Sequence, residues 1–166
     1  QAIRTIPDFP KPGIQFKDIT PVLANARLFA ASIQLLADCA GPTPVDIVAG
    51  IEARGFVFAS AVALRLGAGF VPLRKQGKLP YQTVEARYDL EYGTNTIAMH
   101  IDAVKPGDRV LLVDDLLATG GTAAAAADLL TKAGARLLRI CFLVELTSLN
   151  GRERLRQHPV QSLVRF

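Results

Sequence analysis

The sequence predicts one α/β domain built on a parallel, doubly wound sheet. Short apolar runs of strand length alternate with segments of helical periodicity, the pattern of a βαβ fold. The runs are apolar throughout, as in strands covered on both faces. With 166 residues, 50% of them hydrophobic and 20% charged, the chain is long enough to bury one core.

The first 21 residues hold four prolines, in TIPDFPKP and ITP, and form an irregular arm rather than a helix or central strand. Residues 26–40 place Leu28, Phe29, Leu35 and Leu36 at helical spacing, and GPTP ends that helix. VDIVAGI, residues 45–51, is the first buried strand. After EARG, residues 56–66 form a helix closed by Gly67. Residues 70–73 are a second strand, followed by the basic RKQGK, and residues 109–113 are a third. Residues 122–132 form a helix rich in alanine, the best helix former, closed by Gly134. Residues 137–144 are a fourth strand. Residues 77–95 fit neither period, and a connection of that length in a compact domain suits a lid over an active site.

Net charge is +4, without a dense basic block interleaved with aromatics, so nucleic acid is not an expected partner. Arg152, Arg154 and Arg156 are interrupted by Glu153 and suit a solvated helix face. No apolar stretch is long enough to span a bilayer, so no membrane role is expected. Cys39 and Cys141 fit no zinc or redox spacing and are expected as two reduced core thiols of a cytoplasmic protein. His100 and His158 match no ligand or nucleophile arrangement and are expected to be structural.

Ligands of open α/β sheets bind beyond the carboxyl ends of the strands, where EARG, RKQGK and DDLLATGGT converge. Asp114 and Asp115 follow an apolar strand. Neighbours on a strand point to opposite faces, so the two make a poor acid/base dyad. They suit the vicinal hydroxyls of a sugar. Gly120 and Gly121 allow close backbone approach, and Thr122 opens a helix whose free N–H groups and positive dipole end attract an anion. The hydroxyls of Thr119 and Thr122 add donors. No lysine stands where a Walker A loop needs one, and the G-x-G-x-x-G spacing of a dinucleotide fold is absent. The chemistry implied is a diol next to a phosphate.

VLLVDDLLATGGT resembles the phosphoribosyl pyrophosphate (PRPP) motif of the type I phosphoribosyltransferases. PDFPKPGIQFKDITPVL, GIEARGF, RKQGKLP, LEYGT and VELTSLNGRE resemble the adenine-specific branch of that family, in order and over nearly the whole chain. The resemblance implies a single type I domain over residues 1–166. Its parallel twisted sheet would be flanked by helices, with a small hood made by the arm and the C-terminal segment and a flexible lid at residues 77–95. It implies purine salvage: adenine and PRPP give AMP and pyrophosphate. Mg2+ would be held mainly through PRPP and pyrophosphate, with no firm protein ligands. A homodimer is expected.

Asp114 and Asp115 would hold the ribose hydroxyls. Ala118, Thr119, Gly120, Gly121 and Thr122 would cradle the 5′-phosphate, and Arg54 and Lys78 would contact the pyrophosphate. Glu91 and Tyr92 would lie on the lid, Tyr92 against PRPP. Glu91 would complete a catalytic set with Arg54, Asp114 and Asp115. Phe16 would stack on adenine, the main chain at Gln15 and Lys17 would read its edge, and Leu146 would pack on its other face. Arginine is common in the family at the Lys17 position, so no planar guanidinium contact is expected there. A non-proline cis peptide, which the family often holds in this loop, is expected at Ala53–Arg54. Two other readings stay open at this point. One is a phosphoribosyltransferase acting on a 6-oxopurine. The other is a non-catalytic PRPP sensor that binds nucleic acid, although the chain leaves little room for a DNA-binding domain.

Overall fold

A computed structural model describes residues 2–89 and 94–166. The arm is more regular than its prolines imply. Strands β1 (Arg4–Pro7) and β2 (Gln15–Asp18) form an antiparallel hairpin with Ile6 opposite Phe16. Pairing across the hairpin supplies what local propensity lacks. Arg4 donates to Asp18 Oδ2 through Nε (3.0 Å) and Nη2 (2.6 Å), and Lys17 Nζ donates to Thr5 Oγ1 at 2.8 Å. A short helix α1 (Thr20–Ala24) leads into α2 (Ala26–Asp38). Asn25 caps α2 by accepting from the backbone N–H groups of Arg27 and Leu28, both at 3.1 Å.

The main sheet has seven strands: β3 (Ile47–Ile51), β4 (Gly69–Lys75), β5 (Thr83–Asp89), β6 (Thr94–His100), β7 (Arg109–Leu117), β8 (Arg136–Glu145) and β9 (Val160–Arg165). Their spatial order is β5-β6-β4-β3-β7-β8-β9. The pairs β3–β4, β3–β7, β7–β8 and β8–β9 are parallel. The pairs β4–β6 and β5–β6 are antiparallel, so the predicted parallel sheet gains an antiparallel edge. Strand β5 of that edge lies within residues 77–95, the stretch expected as a flexible lid, and most of β6 follows it. Helices α3 (Gly55–Leu66) and α4 (Gly121–Lys132) complete the fold, with two 3₁₀ turns, Thr147–Leu149 and Gly151–Leu155, between β8 and β9.

Alternation along β7 divides the core. Val110 and Leu112 join a cluster under α4, while Leu111 and Val113 join one under α2 and α3. Phe58 and Leu36 have no accessible surface, and burying each such side chain contributes about 1.5–3 kcal/mol. Cys39 and Cys141 are both free and buried in the second cluster, where the Cys39 thiol donates to the Leu35 carbonyl at 3.2 Å.

Candidate active site

Strand β7 runs through Asp114 and Asp115 to Leu117, four residues beyond the predicted end. Both carboxylates line one cavity of about 440 Å³ at the carboxyl end of the sheet. The expected divergence of the two side chains does not hold. Asp114 Oδ1 accepts from the Asp115 N–H at 2.9 Å, and each carboxylate shifts the ionisation of the other. Burial pushes Asp114 well above the usual aspartate range, and the charge of Asp115 adds to it. Burial also raises Asp115, against the opposing pull of Arg54. The room beside Asp114 exists because residue 55 is glycine: a β-carbon there would collide with the Asp114 carboxylate.

Ala118, Thr119, Gly120, Gly121 and Thr122 line the same cavity. Gly120, at φ +81°, holds the left-handed conformation that turns the chain into α4, which starts at Gly121, one residue before the prediction. Among the described residues no side chain caps this helix, and no acidic residue lies in its first turn. Its leading N–H groups therefore face the cavity side of the turn without an internal competitor, a ready anion site.

Arg54 is the N-cap residue of α3. Its Nε lies 2.7 Å from Asp115 Oδ2, and its guanidinium carbon is 5.4 Å from the Phe16 ring centroid. One side chain thus joins the carboxylate pair to the N-terminal arm. The cis peptide is one residue earlier than expected, at Glu52–Ala53 rather than Ala53–Arg54.

Glu52 was missed by the sequence reading, which took EARG for its arginine alone. It lines the cavity and accepts from Lys78 Nζ (2.8 Å), Arg74 Nη2 (3.1 Å) and the Lys75 N–H (3.2 Å). Lys78 therefore reaches the cavity only through Glu52 and does not itself line it. Arg74 also donates to the Lys78 carbonyl at 2.8 Å, while its buried Nε has no hydrogen-bond partner among the described residues. Lys75, Tyr88 and Asn95 line the cavity too. Tyr88 and Asn95 stand on strands that the sequence did not reveal. Glu91 and Tyr92 lie outside the described residues.

Burial alone would raise Glu52, but its hydrogen bonds from Arg74 and Lys78 outweigh that and hold its pKa at about 2 instead of 4.5. A depressed carboxylate stabilises the fold fully above its unfolded value, and that contribution is lost as pH falls through about 2. Glu52→Gln should therefore lower the thermal midpoint at neutral pH, and the gap from the wild type should close on acidification. A gap that stays constant from pH 7 to pH 2 would show that these ion pairs add no stability.

The base-site candidates divide between two surfaces. Phe16 packs edge-on against Phe9, with centroids 5.1 Å apart, and faces Arg54. Gln15, Lys17 and Leu146 line a neighbouring cavity of about 490 Å³ with Phe166. Lys17 Nζ stands 4.1 Å over the Phe166 ring, so arm and C-terminus meet as the expected hood. The Leu146 N–H donates to Leu117 O at 2.9 Å, fixing this hood to the end of β7. Arg152, expected on a solvated face, is instead half-buried and forms a two-pronged pair with Glu145.

A carboxylate pair beside a glycine turn at a helix N-terminus, beyond the carboxyl ends of parallel strands, defines a sugar-phosphate-binding α/β protein. The family model for the phosphoribosyl transferase domain matches residues 15–164. The adenine phosphoribosyltransferase of Acidothermus cellulolyticus is 59% identical over 163 residues, covering 98% of this chain and 92% of that one. The crystal structure of the enzyme of that name from Thermoanaerobacter pseudethanolicus superposes with a TM-score of 0.96 at 53% identity, covering 99% of this chain and 96% of that one. The Saccharomyces cerevisiae structure, complexed with D-2,5-dideoxy-2,5-imino-altritol 1,6-bisphosphate and adenine, gives 0.90 at 42% identity, covering 96% and 92%. The chain belongs to the adenine phosphoribosyltransferase family.

Proposed function

We propose that this protein transfers the 5-phosphoribosyl group of PRPP to adenine, giving AMP and pyrophosphate in purine salvage. The observation that carries the donor half is the shared cavity of Asp114, Asp115 and the Ala118–Thr122 turn. The acceptor half is supported by Phe16, held by Arg54 at the edge of that cavity, and by the adenine in the yeast relative.

In this reading Asp114 and Asp115 take the ribose hydroxyls, and the first turn of α4 takes the 5′-phosphate. The Arg54–Asp115 pair opens as PRPP binds, so that Arg54 meets the pyrophosphate and Asp115 the diol. Glu52 keeps Arg74 and Lys78 at the mouth, where their charge draws the anion in. As the anomeric carbon loses pyrophosphate it gains positive character, which the two carboxylates favour. Phe16 and Leu146 hold the base in line, with main-chain contacts at Gln15 and Lys17. Residues 77–95, the stretch that includes Glu91 and Tyr92, close over the reactants and exclude water.

Two adjacent carboxylates, one of them ionised only at a cost, suit a divalent cation that draws most of its ligands from substrate and water. Among the described residues no group of three or more His, Cys, Asp or Glu is placed to hold a metal by itself. Mg2+ would therefore be held mainly through PRPP and pyrophosphate, with Asp114 and Asp115 beside it on the ribose hydroxyls. When bound, Mg2+ neutralises the pyrophosphate and eases its departure.

The same proposal makes the protein a homodimer, for which Leu64 (84% exposed), Val57 and Phe70 offer apolar surface. It sets the protein in the cytoplasm, with both thiols free. Nucleic acid and membrane have no part in it, and no helix among the described residues is long and apolar enough to cross a membrane. Incubation with Mg2+, PRPP and each purine base should yield AMP from adenine and little product from 6-oxopurines. Product from a 6-oxopurine alone, or none from any base, would reject the assignment.

A further inference from the structure

We infer that Gly151 and the Glu145–Arg152 ion pair are positioning elements for the phosphate-binding turn. This inference rests on reading Ala118–Thr122 as that turn. Gly151 is buried against it. A β-carbon on Gly120 would collide with the Gly151 carbonyl, and a β-carbon on Gly151 would collide with the Ala118 carbonyl and the Leu117 side chain. Two main chains thus lie in direct contact, and the turn's outer wall is the backbone of residue 151. A backbone wall transmits its own position to the turn, because no flexible side chain lies between them to absorb a shift.

What fixes the wall is the next residue. Arg152 Nε and Nη2 donate to Glu145 Oε1 and Oε2 at 2.6 and 2.8 Å, and Nη1 donates to the Val160 carbonyl at 3.0 Å. A planar guanidinium with two-pronged bonds defines an orientation that a flexible ammonium does not. Glu145 is only 5% exposed and ends β8, directly opposite Leu117 in the strand register. Arg165 approaches the same carboxylate at 3.4 Å. The pair therefore ties the segment carrying Gly151 to β8, the neighbour of the strand that enters the turn, and to β9 beyond it. Asn150 enters it in the left-handed region at φ +51°, and the segment's own structure is only one short 3₁₀ turn, Gly151–Leu155.

The test compares wild type, Gly151→Ala, Arg152→Ala and Arg152→Lys in steady-state kinetics with both substrates varied, alongside thermal unfolding. Gly151→Ala and Arg152→Ala should raise KM for PRPP about tenfold or more, while KM for adenine stays within about twofold. Arg152→Lys should keep the fold and recover only part of the PRPP affinity. A purely structural role would lower the thermal midpoint and the active fraction without separating the two KM values. An unchanged KM for PRPP in Gly151→Ala, or equal rises in both KM values, overturns the inference while a working wild type upholds the reading of the turn. A wild type with no PRPP-dependent turnover overturns both.

Discussion

Replacing Asp114 and Asp115 together by asparagine is expected to lower kcat/KM for PRPP by about a thousandfold or more while the protein stays folded. Asparagine has nearly the same shape, so it fits beside Gly55 and keeps an Oδ1 acceptor for the residue 115 N–H. What disappears is the negative charge that holds the ribose and supports its cationic character. Stability should move the other way. An aspartate whose folded pKa is raised stabilises the fold fully below its ordinary value of 3.8, and that contribution is lost as pH rises through the folded value. The wild type bears this cost at neutral pH, and the double variant does not. Its thermal midpoint at pH 7 should equal or exceed that of the wild type, even though Arg54 loses a partner, because Arg54 is 43% exposed and water replaces the carboxylate. Near-normal turnover would refute the ribose-binding role, and a collapsed fold would show that the pair is structural.

The donor half of this site was legible because its signals are local. A fully apolar run, two aspartates and a double glycine before a helix are contiguous, and each has a physical reason to be there. Glu52, Tyr88 and Asn95 were not legible, because their roles depend on partners distant in sequence. Glu52 acts through Arg74 and Lys78, more than twenty residues on. Strand β5 (TVEARYD) carries charge at a sheet edge beside β6, so it lacks the apolar signature of the central strands. Strand β9 (VQSLVR) mixes polar residues with apolar ones at the opposite edge and was overlooked for the same reason. The arm's prolines obscured a hairpin that Arg4 and Asp18 close from opposite strands. Arg152 was read from its charged neighbours, whereas Glu145, seven residues before it, decides its position.

Arg54→Ala is expected to lower kcat/KM for PRPP by about a hundredfold to a thousandfold, and to move the acid limb of its pH profile to higher pH. The shift follows from the geometry. Asp115 is buried, which raises its pKa, and Arg54 at 2.7 Å is the chief influence lowering it. Removing the guanidinium leaves the desolvation opposed only by local hydrogen bonds, so Asp115 and its neighbour Asp114 hold protons to a higher pH and the ionised pair forms later. Arg54→Lys restores the charge but not the planar group over Phe16. It should return the acid limb toward that of the wild type and recover much of the PRPP affinity, while KM for adenine stays raised because the arm has lost its anchor. If Arg54→Ala loses activity with an unmoved acid limb, Arg54 acts on the leaving group alone. If Arg54→Lys restores both KM values, the ring contact has no part in placing the base. The outcome that supports the proposed mechanism is the split, because only a residue touching both the carboxylate pair and the arm changes the titration and the base affinity separately.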